Sequence, residues 1–188
     1  MRRSKWSFFQ DEDLMQHFCN GENAAFDELY IRYYSKLYNY ILHSTSFTPS
    51  QCKDILHDVF VKIIEKKKHY DQSKKLSVWI YTLINNECRN AYKHQIVKDK
   101  SQVEISESNQ IGDTRIQDIS HTKQLRSSIK KLKPIYKQVF LLRFNFGFNI
   151  KETAQILDIT EGTVKSRLFN CIQQLNKKEE ILEIKQNR

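Results

Sequence analysis

Four glycines and two prolines in 188 residues constrain this chain more than any other feature. The usual shares are about 7% and 5%, so turn-rich sandwiches, propellers and dinucleotide folds built on glycine loops are argued against. An all-helical fold is expected. Hydrophobic residues make up 39% of the chain and aromatics 12%, enough apolar surface to form a packed core. The length allows one domain or two small ones.

Charge divides the chain into three pieces. Residues 1–94 carry 14 cations against 11 acids, residues 95–121 carry 3 against 5, and residues 122–188 carry 14 against 6. The last third is thus a basic module at +8. The middle piece is rich in Ser, Asp, Glu and Gln, and its scattered Ile and Val keep no period, so it reads as a flexible linker. Two small helical domains joined by a tether are expected, with boundaries at 1–94, 95–121 and 122–188.

At the N-terminus the apolar patch Trp6 to Phe9 is shorter than the roughly 7–15 residues of a secretory core. The densest apolar run, Val139 to Leu142, stops at Arg143, well short of the roughly 18 residues of a membrane span. A soluble cytoplasmic protein is expected. Cys19, Cys52, Cys88 and Cys171 lie more than thirty residues apart without a Cys-x-x-Cys, a pattern of buried reduced thiols rather than of zinc or disulfides.

In the first domain, Asp11 to Asn20 reads as a short helix ended by Gly21, and Asn23 to about Leu42 as a second. A third has the clearest start: Thr48 as N-cap, Pro49 at the first helical position and Gln51 completing a capping box. Its stripe of Ile55, Leu56, Val59, Phe60, Ile63 and Ile64 is expected to be buried, leaving Lys53, Asp54, His57, Asp58 and Lys62 around the remaining surface. After the polar stretch Lys66 to Lys75, a fourth helix is predicted from about Ser77 to His94.

In the second domain a helix precedes Pro134, Pro134 opens another, and Gly147 breaks the chain. Asn149 to Glu152 forms a second capping box and starts a short helix through Ala154, Ile156 and Leu157. Asp158 and Ile159 follow, then Thr160 as N-cap of a longer helix. Two helices around a turn of about three residues are helix-turn-helix architecture. On the second helix, Val164, Leu168, Cys171, Ile172 and Leu175 share one side and must form the core face. Opposite lie Ser166, Phe169, Asn170 and Gln173, flanked by Lys165 and Arg167. That surface offers cations for phosphates, polar groups for base edges and a ring for thymine methyls. A solvated face with an incidental Phe169 is the plainer alternative, against which the +8 charge and the preceding turn both weigh.

Taken together, these residues resemble the extracytoplasmic-function (ECF) sigma factors, the two-domain promoter-recognition subunits of bacterial RNA polymerase within the sigma-70 family. Asp11-Glu-Asp-Leu14 to Leu29-Tyr30, with Gly21 and Ala25-Phe26 between, is similar to the family's opening helices. Lys53-Asp-Ile-Leu-His-Asp-Val-Phe60 resembles the stretch that docks on the polymerase clamp, and Val78-Trp79-Ile80-Tyr81 with Asn86 and Asn90 resembles the segment that meets the melted −10 strand. Gly162-Thr-Val-Lys-Ser-Arg-Leu168 resembles the start of the helix that reads the −35 duplex. The sequence departs from the pattern at His57, where Gln is usual, at Asn170-Cys171, where Arg-Ala is usual, and at Asp158, where glycine is common. The first two imply a differently tuned core contact and one missing phosphate or base contact; Asp tolerates the left-handed turn.

The resemblance implies three sites. Asp54, His57, Asp58 and Lys62 would bind core polymerase. Tyr70, Lys74, Trp79, Asn86 and Asn90 would capture the −10 strand, with a base read by Asn amides and stacked on a loop aromatic. Lys66, Lys67, Lys68, Lys74 and Lys75 would follow the phosphates, and Trp79 is read more readily as a core anchor than as a wedge. Thr163, Lys165, Ser166, Arg167, Phe169, Asn170 and Gln173 would read the −35 element. The implied partners are core RNA polymerase, promoter DNA and an anti-sigma factor, often membrane-anchored, that masks both polymerase contacts.

An enzyme is not expected. His57 and Asp58 are adjacent and cannot face each other on a helix, while His17, His43, His69, His94 and His121 have no partner at metal-ligand spacing. The sequence contains neither a phosphate loop nor a nucleophile elbow, so no cofactor, metal or small-molecule substrate is expected. The competing class is a conventional helix-turn-helix regulator whose N-terminal helices sense a ligand or dimerise, which would bind duplex DNA by itself.

Overall fold

The computed structural model describes residues 5–101, 129 and 131–186. Among these, only helices and turns occur, in two compact units. No helix among the described residues is long and apolar enough to cross a membrane.

The first unit holds α1 (Asp11–Cys19), α2 (Asn23–Ser44), α3 (Pro49–Lys66) and α4 (Leu76–Ser101). Asp11, Glu12 and Asp13 crowd the first turn of α1, where negative charge opposes the helix dipole favourably. After its end the chain reverses at Gly21, whose φ of +99° a side chain would resist. In α2 the buried residues Ala25, Leu29, Tyr33, Leu37, Tyr40 and Ile41 recur at helical spacing, and the Phe26 ring stacks on Phe18 of α1 at 4.8 Å between centroids. The Thr48 capping box opens α3 as expected: Thr48 Oγ1 accepts from Gln51 N–H at 3.3 Å and Gln51 Oε1 accepts from Thr48 N–H at 2.8 Å.

One arginine fastens the N-terminus to this unit. Arg32 donates to the carbonyls of Trp6, Ser7 and Phe9 at 2.9–3.2 Å, to Asp11 Oδ1 at 2.7 Å and to Glu28 Oε1 at 2.9 Å. Tyr33 Oη donates to the second oxygen of Asp11 at 2.7 Å. Residues Lys5–Phe8 consequently form a 3₁₀ turn with Trp6 buried, rather than trailing in solvent.

The second unit holds α5 (Pro134–Phe140), which runs into a π turn over Leu141–Asn145, then α6 (Ile150–Leu157) and α7 (Glu161–Gln186). The π turn is closed by Phe146 N–H on Leu141 O at 3.0 Å, and Gly147 follows at φ +72°. Leu132, Cys171 and Leu175 form a buried cluster with Ile129, Tyr136 and Phe140 packed against it.

Three expectations are corrected. The fourth helix runs to Ser101, not His94, because Gln95 to Ser101 contains neither glycine nor proline to stop it; the rest of the proposed linker, 102–121, lies outside the described residues, as does most of the helix expected before Pro134. Ile64 is 45% exposed and Ile172 43% exposed, not core. Both stand at the edge of their apolar stripes, where helical spacing alone does not say how far a neighbouring helix covers the flank.

Candidate nucleic-acid interface

In the second unit, short-range bonds fix the turn between α6 and α7. Asn149 and Glu152 cap each other at 2.8 Å in both directions, and Thr153 Oγ1 donates to Asn149 O at 2.8 Å. At the far end Asp158 adopts φ 52°, ψ 55°, while Ile159 N–H reaches Ala154 O at 3.0 Å and Asp158 N–H reaches Gln155 O at 3.3 Å. That is the pattern of a left-handed helix end, which usually takes glycine and tolerates Asp. Thr160 Oγ1 then accepts from Thr163 N–H at 3.1 Å and bonds the Thr163 hydroxyl at 2.9 Å, satisfying the first turn of α7.

The turn presents α7 with Val164, Cys171 and Leu175 buried and Leu168 partly so. Lys165, Ser166, Asn170 and Gln173 are exposed, as is Phe169 at 63%, while Arg167 and Thr163 are half-buried. Ser166 Oγ donates to Thr163 O at 3.0 Å, leaving its oxygen able to accept from outside. Burial pushes the Cys171 thiol up to about 11, so this residue works as a small hydrophobe rather than a reactive group. The outer face of α7 therefore combines donors, acceptors and an unburied ring on one helix able to enter a major groove.

In the first unit, α3 turns Asp54, His57 and Asp58 outward. Two apolar residues that the sequence reading did not assign to this site, Val61 at 38% and Ile64 at 45% exposure, stand on the same face at four and seven residues from His57. The spacing was available in the sequence; the exposure was not. Lys62 is turned to α4, where its Nζ lies 2.6 Å from Glu87 Oε1. It braces α3 against α4 rather than standing free on the face.

The segment from Lys67 to Lys75 joins α3 to α4. Lys68, Lys74 and Lys75 are exposed, and so are Asn86 and Asn90, four residues apart on α4. Lys74 Nζ lies 3.3 Å from Asp71 Oδ2 with both side chains at least half exposed, a pair weak enough to give way to a phosphate. Two residues differ from expectation. The Lys67 ammonium donates to Phe18 O at 3.1 Å and stands 4.1 Å over the Phe18 ring, so it holds the loop down instead of tracking a backbone. Tyr70 is only 7% exposed, its hydroxyl donates to Lys74 O, and its ring meets Trp79 at 5.3 Å between centroids. Burial pushes its phenol up to about 12, with Glu12 and Asp71 adding to the rise. Tyr70 shapes the loop from inside; a ring packed on Trp79 is no open stacking platform.

Among the described residues there is no group of His, Cys, Asp or Glu that could hold a metal ion. Burial also pushes the thiols of Cys52 and Cys88 up, to about 11 and about 12.

Residues 29–95 match the family described as Sigma-70 region 2, and residues 122–175 the family described as Sigma-70, region 4. Curated relatives include the ECF RNA polymerase sigma factor SigM of Bacillus subtilis, 26% identical over 79% of this chain and 91% of that protein. RNA polymerase sigma factor YlaC of the same species is 25% identical over 81% of this chain and 91% of its own length. The ECF sigma factor BldN of Streptomyces coelicolor is 21% identical over 87% of this chain, which spans 63% of the BldN length. Among solved structures, the fold is similar to that of the sigma factor RpoE of Bartonella quintana in complex with the anti-sigma factor NepR. That match has a TM-score of 0.71 at 15% identity, covering 83% of this chain and 97% of the other. CnrH in complex with the cytosolic domain of CnrY has a TM-score of 0.64 at 17% identity over 91% and 97%.

Proposed function

The chain belongs to the sigma-70 family and is an RNA polymerase sigma factor of the ECF type, and from that premise we propose how its residues divide the work. The observation that carries the reading is the presence of both family regions on one chain in order, residues 29–95 ahead of residues 122–175. A conventional helix-turn-helix regulator accounts for the second region alone. Sigma factors are initiation factors, and the chain works by binding rather than by catalysis.

Residues 1–101 serve as region 2, 102–121 as the tether and 122–188 as region 4. Asp54, His57 and Asp58 meet basic groups of the polymerase clamp at a wet interface, where each charge pair contributes modestly. Val61 and Ile64, exposed on the same face, add apolar area to that contact, and Lys62 keeps the face rigid through Glu87. Asn86 and Asn90 hydrogen-bond the edges of an unstacked −10 base while Lys68, Lys74 and Lys75 hold the phosphates. Tyr70 and Trp79 support the loop that carries those lysines. Strand separation then needs only capture of the opened strand. At the −35 element, Lys165 and Arg167 take phosphates, Ser166, Asn170 and Gln173 read base edges, Thr163 adds a polar contact at the helix start and Phe169 meets thymine methyls. The protein acts in the cytoplasm, and an anti-sigma factor that covers both polymerase-facing surfaces regulates it.

The test is a pull-down of purified bacterial core polymerase, followed by transcription from genomic DNA fragments with and without the chain. Specific initiation that depends on the chain supports the reading, and Asp58→Lys should abolish co-purification. Binding to palindromic duplex DNA in the absence of polymerase, with no polymerase contact, would establish the regulator instead.

A further inference from the structure

The fourth helix lacks a capping residue of its own. Lys75 precedes Leu76, and an ammonium has only donors to offer, yet the first N–H groups of a helix need acceptors. The acceptor comes from 64 residues away: Glu12 Oε1 takes the Leu76 N–H at 2.9 Å. Leu76 is fully buried and Glu12 half-buried, so the bond is made where water competes poorly, and the carboxylate also stands at the positive end of the helix dipole.

The same short helix holds the other end of the loop. At its C-terminus, Phe18 O accepts from Lys67 Nζ at 3.1 Å, and Cys19 Sγ donates to Lys67 O at 3.2 Å. Between these two attachments the loop carries Lys67, Lys68, Lys74 and Lys75 against Asp71 alone among the acids, so mutual repulsion favours its spreading. Internally it is closed by Tyr70 on Lys74 O and by Asp71 Oδ1 on Ser73 N–H at 3.0 Å. Neither of these ties it to the rest of the unit. The Tyr70 ring on Trp79 does so at its middle, and helix α1 does so at both ends.

We propose that Glu12 is a positioning residue for −10 strand capture: by capping α4 from α1, it sets the basic loop 67–75 and the Asn86–Asn90 face of α4 into one surface before DNA arrives. The inference rests on the −10 assignment above and gives α1 a task in promoter opening. Glu12 touches no base itself. Its loss leaves the lysines and asparagines in place and raises the cost of ordering them at each encounter.

The experiment uses the full chain with core polymerase on a duplex promoter fragment mapped with the wild-type protein. It compares Glu12→Ala, Glu12→Gln and the double variant Asn86→Ala/Asn90→Ala. The readouts are core affinity, open-complex formation by permanganate reactivity, and amide exchange over residues 67–76. Glu12→Ala should lower open-complex formation about tenfold, the equivalent of one charge-assisted hydrogen bond, speed exchange over the loop, and leave core affinity within about twofold. Glu12→Gln keeps the acceptor oxygen and should recover most of the loss. Wild-type opening by Glu12→Ala overturns the inference, as does a parallel loss of core affinity, which would mark Glu12 as a residue of general folding. If the double asparagine variant opens the promoter at the wild-type rate, the −10 reading itself falls and this inference with it. If only that variant is impaired, the reading stands and the role of Glu12 does not.

Discussion

The two units each hold an exposed polar surface in place, by bonds of different range in the sequence. In the second unit the presentation of α7 is set within a few residues: the Asn149–Glu152 box, the left-handed Asp158 and the Thr160 cap. In the first, the loop before α4 is held by Glu12 and Phe18, 64 and 49 residues from their partners, and the N-terminal turn by Arg32, more than twenty residues away. A locally specified site keeps its shape as long as its two helices pack. A site assembled from distant segments exists only when the whole unit is folded, and its loop can be loosened without touching the residues we propose to meet DNA.

The largest effect that would test this contrast is expected at Val164, which is fully buried in α7. Val164→Asp places an unpaired charge in that core and should cost more than about 3 kcal/mol. Both tryptophans, Trp6 and Trp79, lie in the first unit. Far-UV circular dichroism should therefore fall while tryptophan emission stays native; a red-shifted emission would break the description of two separately built units. Next comes Arg32→Ala, which removes a buried-side guanidinium and its charge-assisted bonds and should cost about 2 kcal/mol. Here the emission of Trp6 should shift to the red, and an unchanged spectrum would show that the N-terminal turn is held by packing alone.

Local changes should be smaller. Thr160→Ala removes the cap of α7 and should cost about 1 kcal/mol in thermal melting, with a matching loss of −35 duplex affinity and no change in core affinity. Asp158 gives the smallest and most directional effect. Asp158→Gly suits φ 52° and should be neutral or stabilising by a few tenths of a kcal/mol, whereas Asp158→Val should destabilise by about 1–2 kcal/mol. Equal melting of the two variants would mean that the left-handed turn does not limit stability.

The same division explains what could be read in advance. Both capping boxes, the Asp158 turn, the Thr160 cap and the polar face of α7 rest on contacts within about five residues, and each is visible as a residue type at a fixed offset. Asp54, His57 and Asp58 were legible as an outward face for the same reason. Lys67 and Tyr70 were not: both belong to a polar, lysine-rich stretch, and only the approach of α1 and Trp79 turns an ammonium and a phenol inward. Ile64 and Ile172 failed in the opposite sense, since periodicity gives a direction around the helix but not the width that a neighbour covers.

By itself the sequence determined that this chain is helical, because so few residues can break a helix, and that its last third carries a polar-faced helix behind a tight turn. It also supplied the order of segments by which the family is recognised. Tertiary structure alone decided which lysines of the loop stay exposed, that Lys62 of α3 pairs with Glu87 of α4 and that the fourth helix is capped from the first. The physical reason is that a cap or an ion pair between distant segments leaves no periodic trace. It depends on where two helices meet, and that is set by burial of side chains on both: Leu14, Met15 and Phe18 of α1 and Leu76 and Ile80 of α4 are all buried.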